Sequence, residues 1–277
     1  MANVTAQLEK DFAEIDARIG QIAANAGVKA GFVDTVFSRN VLGTVTKARD
    51  GINRRVVVAL GETGAGKSET GRYLRAVRGA VHVEGKKAWA YSYKAFCADV
   101  ATAAGRPLKT TRYDEHMAEK AMLDALSSKD GILYIDEANH LGAGAVDAIK
   151  LIVNQTGYAV VIAAIPSFWD ALLQRAPQEV RQLINRCQPI IRYSDVEEKG
   201  VRRLLSDVLN ANVLNSVIRD VMDAAMSFGA YATVTAIRND LRPIDSPGEE
   251  DVAKIIKTLR ASWIDAGVSI NTKAIKR

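Results

Sequence analysis

The chain is poor in cysteine and in long apolar runs. Its 277 residues include two cysteines, Cys97 and Cys187, too few for a disulfide framework or a zinc site. Both stand in apolar helical patterns, which reads them as small core residues. No apolar run approaches the ~20 residues needed to span a bilayer, so no membrane partner is expected. Met1 to Lys10 shows no signal-peptide pattern, and an intracellular, cytoplasmic protein is expected. His82 and His116 lack metal-ligand spacing and receive no role. Internal repeats and low-complexity segments are missing too. What remains is the mix of a globular protein, 48% hydrophobic and 25% charged, with room for one large domain or two or three small ones. A net charge of +5 leans toward a polyanionic partner, and the distribution of charge matters more than its total.

The most informative stretch runs from Arg54 to Ser68. Val56-Val57-Val58-Ala59-Leu60 is a β-branched apolar run that ends at Gly61, and Gly66-Lys67-Ser68 follow at the G-x-x-x-x-G-K-[ST] spacing of a phosphate-binding loop. Glycines let the backbone curl so that successive N–H groups face phosphate oxygens. Lys67 is placed to neutralise the β- and γ-phosphates, and the Ser68 hydroxyl to take one Mg²⁺ position. Tyr73, Leu74 and Val77 follow at helical spacing and the helix stops at Gly79, so a helix N-terminus adds partial positive charge to the loop. The expected cradle comprises Gly61, Glu62, Thr63, Gly64, Ala65, Gly66, Lys67, Ser68 and, on the first helical turn, Glu69.

A second apolar run, Ile132-Leu133-Tyr134-Ile135, delivers Asp136 and Glu137 at its end. Open parallel sheets bind ligands at that edge. Asp136 is expected to hold Mg²⁺ through its water shell, and Glu137 to accept a proton from the attacking water. Glu137 beside Asp136 suits water activation better than a small-molecule kinase. His140 is either a γ-phosphate or neighbouring-subunit contact, or a helix-start residue without chemistry. The strand at 157–165 ends in Ala164-Ile165-Pro166, with no polar group for sensing a γ-phosphate until Ser167.

Upstream, Val4, Leu8, Phe12, Ile15 and Ile19 share a helical face. Residues 19 to 40 then read as helix, tight turn at Gly27 and second helix, with Ala23 small enough for a crossing. This pattern fits a helix-turn-helix that would bring Lys29, Ser38, Arg39 and Asn40 near DNA, or a helical hairpin that only packs on the next domain. Residues 41 to 54 read as a connector with at least one helical turn. Between Lys86 and Arg112 stand Lys86, Lys87, Lys94, Arg106, Lys109 and Arg112 against one acid, Asp99, with Trp89, Tyr91, Tyr93 and Phe96 interleaved. Such a stretch can follow a nucleic-acid backbone, or it is a strand and helix with solvated lysines and core aromatics.

Short helical pieces between 168 and 187 carry Arg175, Arg181 and Arg186, and a last strand is expected at 189–193. Beyond it the alternation of strands and helices stops. Helices are expected near 195–209, 212–228 and 230–241, and a final one from Ser246-Pro247-Gly248-Glu249. Ser194 with Glu197, and Ser246 with Glu249, form capping boxes. The organisation read from this is residues 1–42 as a helix-turn-helix-like segment, 43–194 as an α/β nucleotide-binding domain with a parallel sheet flanked by helices, and 195–277 as an all-helical lid.

Both nucleotide motifs and the helical lid resemble the AAA+ class of P-loop NTPases. More narrowly, the chain is similar to the transposition ATPases of the phage Mu B protein type. The resemblance rests on Gly61 to Ser68, Ile135-Asp136-Glu137-Ala138 with Leu141, Val160 to Ala164 followed by Pro166, and Leu183-Ile184-Asn185-Arg186. It implies an ATP- and Mg²⁺-dependent ATPase that binds double-stranded DNA without sequence preference and forms a homo-oligomer or helical filament with ATP between subunits. Such a protein delivers target DNA to a transposase, in a host bacterial cytoplasm if phage-borne. A helicase-loader-like adaptor or an ATP-switched DNA-binding regulator is the alternative. By this resemblance Arg186, then Arg181, is the choice for an arginine finger reaching a neighbour's γ-phosphate. A surface arginine in a salt bridge is the other reading. The family's lid arginine has no direct match; the nearest is Arg238.

Overall fold

The computed structural model describes residues 36–51, 54–108, 113–127, 130–193, 198–228 and 230–265. The helix-turn-helix reading of residues 19–40 falls almost wholly outside them, as do Lys109, Arg112 and the Ser194–Glu197 cap.

Among the described residues five strands form one sheet: β1 (Val56–Gly61), β2 (Val81–Glu84), β3 (Ile132–Asp136), β4 (Ala159–Ala164) and β5 (Ile191–Tyr193). They lie in the order β2-β3-β4-β1-β5, and every pairing is parallel. β1, β3 and β4 are buried along their whole length, as strands covered on both faces are. Period-2 alternation decides which face each residue serves. Val56, Val58 and Leu60 join Leu133, Ile135, Val160 and Ile162 in one core. That core is closed by the helices α3 (Tyr93–Ala103), α4 (Glu115–Leu126), α5 (Ala143–Gln155), α6 (Pro166–Arg175) and α7 (Pro177–Ile184). Val57 and Ala59 join Tyr134, Val161 and Ala163 on the other face, beneath Leu74 and a helix over Val36–Asp50.

That last helix, α1, is longer than the one turn or more expected in the connector at 41–54. Val41, Val45 and Ala48 recur on one face and are buried against the sheet, so tertiary packing makes a helix of a stretch with mixed composition. α1 runs unbroken across the expected boundary at 42/43. α2 (Lys67–Arg78) follows the phosphate loop and ends where Gly79, at φ 63°, adopts the left-handed cap and its N–H bonds the Leu74 carbonyl. Cys97 lies within α3, but Cys187 follows α7 and bridges to Val56 rather than sitting in a helix; both are buried.

The helices α8 (Glu198–Leu205), α9 (Ala211–Phe228), α10 (Ala230–Leu241) and α11 (Glu249–Asp265) bury a core of their own around Leu205, Val221, Val234, Ile237, Leu241 and Val252. α11 is capped differently from the expectation. Its Asp251 carboxylate accepts the Gly248 N–H at 2.9 Å, so the acid three residues in does the capping and not Ser246. Among the described residues no helix is long and apolar enough to cross a membrane.

Candidate nucleotide site

The C-terminal ends of β1 and β3, with β4 between them, bring both sequence motifs to one edge of the sheet. The loop after β1 curls through Gly64 at φ 83° and Gly66 at φ 87°, a region where only glycine is unstrained. The Ala65 N–H closes the turn on the Glu62 carbonyl at 3.1 Å, and the Thr70 N–H and hydroxyl both bond the Gly66 carbonyl. Glu62 and Thr63 are exposed on the rim, Ala65 is buried beneath it, and Glu69 is exposed and paired with Arg72.

Lys67 is buried at 6% exposure. Its amine head donates to the carbonyls of Gly61 at 2.8 Å and Glu62 at 3.0 Å, which seats it inside the curl of the loop. Burial pushes its pKa down. Glu137, Asp136 and Glu62 pull it back up without restoring the ordinary lysine value. The ammonium in the glycine curl fits a phosphate at this point, and the acids around it fit a divalent cation bound beside that phosphate.

Asp136 is 3% exposed. Burial alone would raise its pKa. His82, Ser68 and the Glu137 N–H outweigh burial and hold the carboxyl below the usual value, ionised. The Glu137 N–H donates to Asp136 Oδ1 at 2.9 Å, and His82 Nε2 stands 3.7 Å from Oδ2. The Ser68 hydroxyl and this carboxylate form the oxygen pair that Mg²⁺ prefers, so the donor set fits the metal. His82, given no role from the sequence, is therefore a neighbour of the site. No spacing rule could find it, because β2 meets β3 only in the folded sheet.

Glu137 is exposed, in the left-handed region at φ 47° and ψ 42°, a costly conformation for a residue with a Cβ. Its carboxylate accepts from Asn139 Nδ2 at 2.7 Å. Asn139 was also missed by the sequence reading. His140 is half-buried in the short 3₁₀ turn Ala138–His140.

The candidate arginines lie elsewhere. The Arg186 carbonyl accepts from the Val56 N–H at the start of β1, the sheet edge opposite the loop and roughly 16 Å away by strand rise. Arg186 therefore stands far from its own γ-phosphate position. Its guanidinium bonds Asn154 Oδ1 at 3.0 Å and the Gln182 carbonyl at 2.7 Å. Arg181 is exposed on α7. Arg238 is paired with Asp207 inside the helical bundle.

The basic stretch divides. Trp89 and Phe96 are buried in edge-to-face contact, and Tyr93 bonds Glu119. These aromatics belong to the core, and residues 87–90 form a 3₁₀ turn instead of a strand. Lys86 pairs with Asp99 at 2.6 Å, Lys94 lies over the Tyr113 ring, and Arg106 stands 3.6 Å from Asp124. Lys87 and Tyr91 are exposed, Tyr91 at 95%.

Residues 51–172 match the family model described as AAA domain. No curated protein matches the chain. Among solved structures, the Aeropyrum pernix ORC1 protein in complex with DNA shares 17% identity, covers 80% of this chain and 64% of its own, and superposes with a TM-score of 0.54. The Aeropyrum pernix ORC2 protein in its ADP form gives 12% identity, 79% and 66% coverage and a TM-score of 0.56. Drosophila ORC bound to DNA gives 11% identity, 90% and 67% coverage and 0.54. The chain spans less than two thirds of the length of both Aeropyrum proteins. At such identities the likeness is one of fold. The phosphate loop, the parallel sheet order and the match over residues 51–172 together show that this chain has an AAA-type P-loop fold.

Proposed function

We propose that the chain is an ATP-dependent ATPase that binds double-stranded DNA without sequence preference, oligomerises on it with ATP at subunit interfaces, and delivers it to a transposase that it stimulates. The observation that carries the ATP reading is the buried Lys67 ammonium inside a glycine curl, with Asp136, held ionised, and Glu137 beside it. Similar folds solved with DNA, the ORC1 protein and Drosophila ORC, support a DNA-bound role. The transposase rests on the resemblance of the motifs to the Mu B type. The cytoplasm is the proposed compartment.

In this reading the loop N–H groups and the α2 N-terminus hold the phosphates, while Lys67 leaves its two carbonyls for the β- and γ-oxygens. Ser68 and Asp136 hold Mg²⁺, which supplies charge neutralisation on the phosphates. Glu137 orients the attacking water and takes its proton. Arg186, remote from its own site, serves a neighbour's γ-phosphate, with Arg181 as second choice. The division into residues 1–42, 43–194 and 195–277 gives the oligomer a DNA-facing arm, a nucleotide domain and a lid. Lys87, Lys94, Arg106, Lys86, Lys109 and Arg112 line the DNA path. Lys86, Lys94 and Arg106 exchange internal partners for phosphates, so Lys87 carries the readiest charge.

The test is duplex binding with ATP, ADP and no nucleotide, together with ATPase rate with and without duplex. Tighter binding with ATP, a faster rate on DNA and a steep loss of affinity with salt are expected. Equal affinity in all three nucleotide states rejects the reading. Electron microscopy with ATP and DNA separates a filament from the closed oligomer that a loader-like adaptor would form.

A further inference from the structure

We propose that Asn139 is a positioning residue for Glu137, tying the carboxylate to the end of β4 before substrate arrives. The proposal rests on the assignment of Glu137 as the base for water.

The carboxamide makes two bonds. Its Oδ1 accepts the Ile165 N–H at 3.0 Å, and its Nδ2 donates to Glu137 Oε2 at 2.7 Å. A backbone N–H can only donate, so Oδ1 must face Ile165 and Nδ2 is left to face the acid. The orientation of the amide is thus set by chemistry. Ile165 is the first residue past β4, and the run Ala164-Ile165-Pro166 has no polar side chain to offer there. Asn139 supplies from the neighbouring turn the polar group that this strand end lacks.

The backbone beneath Glu137 is held just as closely. The Gly85 N–H donates to the Asp136 carbonyl at 2.8 Å, and a Cβ on Gly85 would lie 1.9 Å from the Glu137 carbonyl oxygen. Gly85, lacking a Cβ, lets the peptide of Glu137 lie this close, and the bond from Asn139 favours the Glu137 rotamer that reaches it. An exposed glutamate on a tight turn is otherwise free to rotate about three bonds. Removing that freedom in advance leaves the carboxylate oriented for a water at the γ-phosphate position.

Two variants of the full chain separate positioning from mere structure. Asn139→Asp keeps an acceptor for the Ile165 N–H but sets a second carboxylate against Glu137. Asn139→Ala loses both bonds. ATPase kcat and KM, affinity for a fluorescent ATP analogue with Mg²⁺, and Tm are measured for each. Both variants are expected to lose kcat on the order of 10- to 100-fold with nucleotide affinity unchanged. A purely structural Asn139 would leave Asn139→Asp with wild-type kcat, because the bond to β4 survives. That result, or a raised kcat, overturns the proposal. A wild type that binds ATP and DNA without hydrolysis rejects the base assignment first and the proposal with it. An active wild type with an unaffected Asn139→Asp rejects the proposal alone.

Discussion

The phenol of Tyr134 donates to the carbonyl of Lys67 at 2.7 Å. One bond thereby joins the middle of β3, whose end carries Asp136, to the first residue of the helix that follows the phosphate loop. The ring stacks on His82 with centroids 5.6 Å apart. α2 can come this near because Gly71 has no side chain; a Cβ there would meet the Tyr134 ring at 2.6 Å. Full burial, with Asp136 nearby, pushes the phenol's pKa well above its ordinary value, so it stays a donor across the working pH range.

Tyr134→Phe is expected to cost about 1 kcal/mol, the net worth of a neutral buried hydrogen bond, and to lower Tm by roughly 2–4 °C in a domain of this size. The melt is run with and without the ATP analogue. Because the bond joins the two halves of the site, the stabilisation by nucleotide should shrink as well.

Gly85→Ala probes the backbone at Glu137. The added methyl meets a carbonyl oxygen rather than a flexible side chain, so the peptide of Glu137 must move. Overpacking of this kind costs about 1–3 kcal/mol. The expected outcome is nucleotide binding retained and ATPase lost, measured as analogue affinity against phosphate release.

Arg186→Ala is expected to lower the ATPase rate by ~10³ or more if the arginine serves a neighbour's site. Mixing Arg186→Ala with Glu137→Gln chains should recover part of the rate, because some interfaces then pair an intact base with an intact arginine. No recovery in the mixture counts against action between subunits.

The thiols give a prediction independent of function. Burial pushes the pKa of both Cys97 and Cys187 up to about 12, so at pH 8 the reactive thiolate is on the order of 10⁻⁴ of each. Native protein should not react with Ellman's reagent, and both thiols should appear on unfolding in guanidinium.

Much of this was legible in the residues. The β-branched run before Gly61 and the apolar run before Asp136 each announce a buried parallel strand, and each ends in its own chemistry. The helices from 198 onward follow their apolar spacing closely. What was not legible depends on contacts between distant segments. α1 is a helix because Val41, Val45 and Ala48 find the sheet, although its own composition is mixed. Trp89 and Phe96 left the proposed nucleic-acid face because they pack on each other in the core. His82 joins the site only through the pairing of β2 with β3, and Asn139, two residues from Glu137 in sequence, gains its hold on the end of β4 only in the fold.

The most direct measurement is titration of the folded chain with a fluorescent ATP analogue and Mg²⁺, beside Lys67→Ala. Saturable uptake by the wild type and none by the variant is the predicted result. A folded wild type that takes up no analogue, or a variant that binds it equally well, contradicts the placement of a triphosphate at Lys67 and everything built on it.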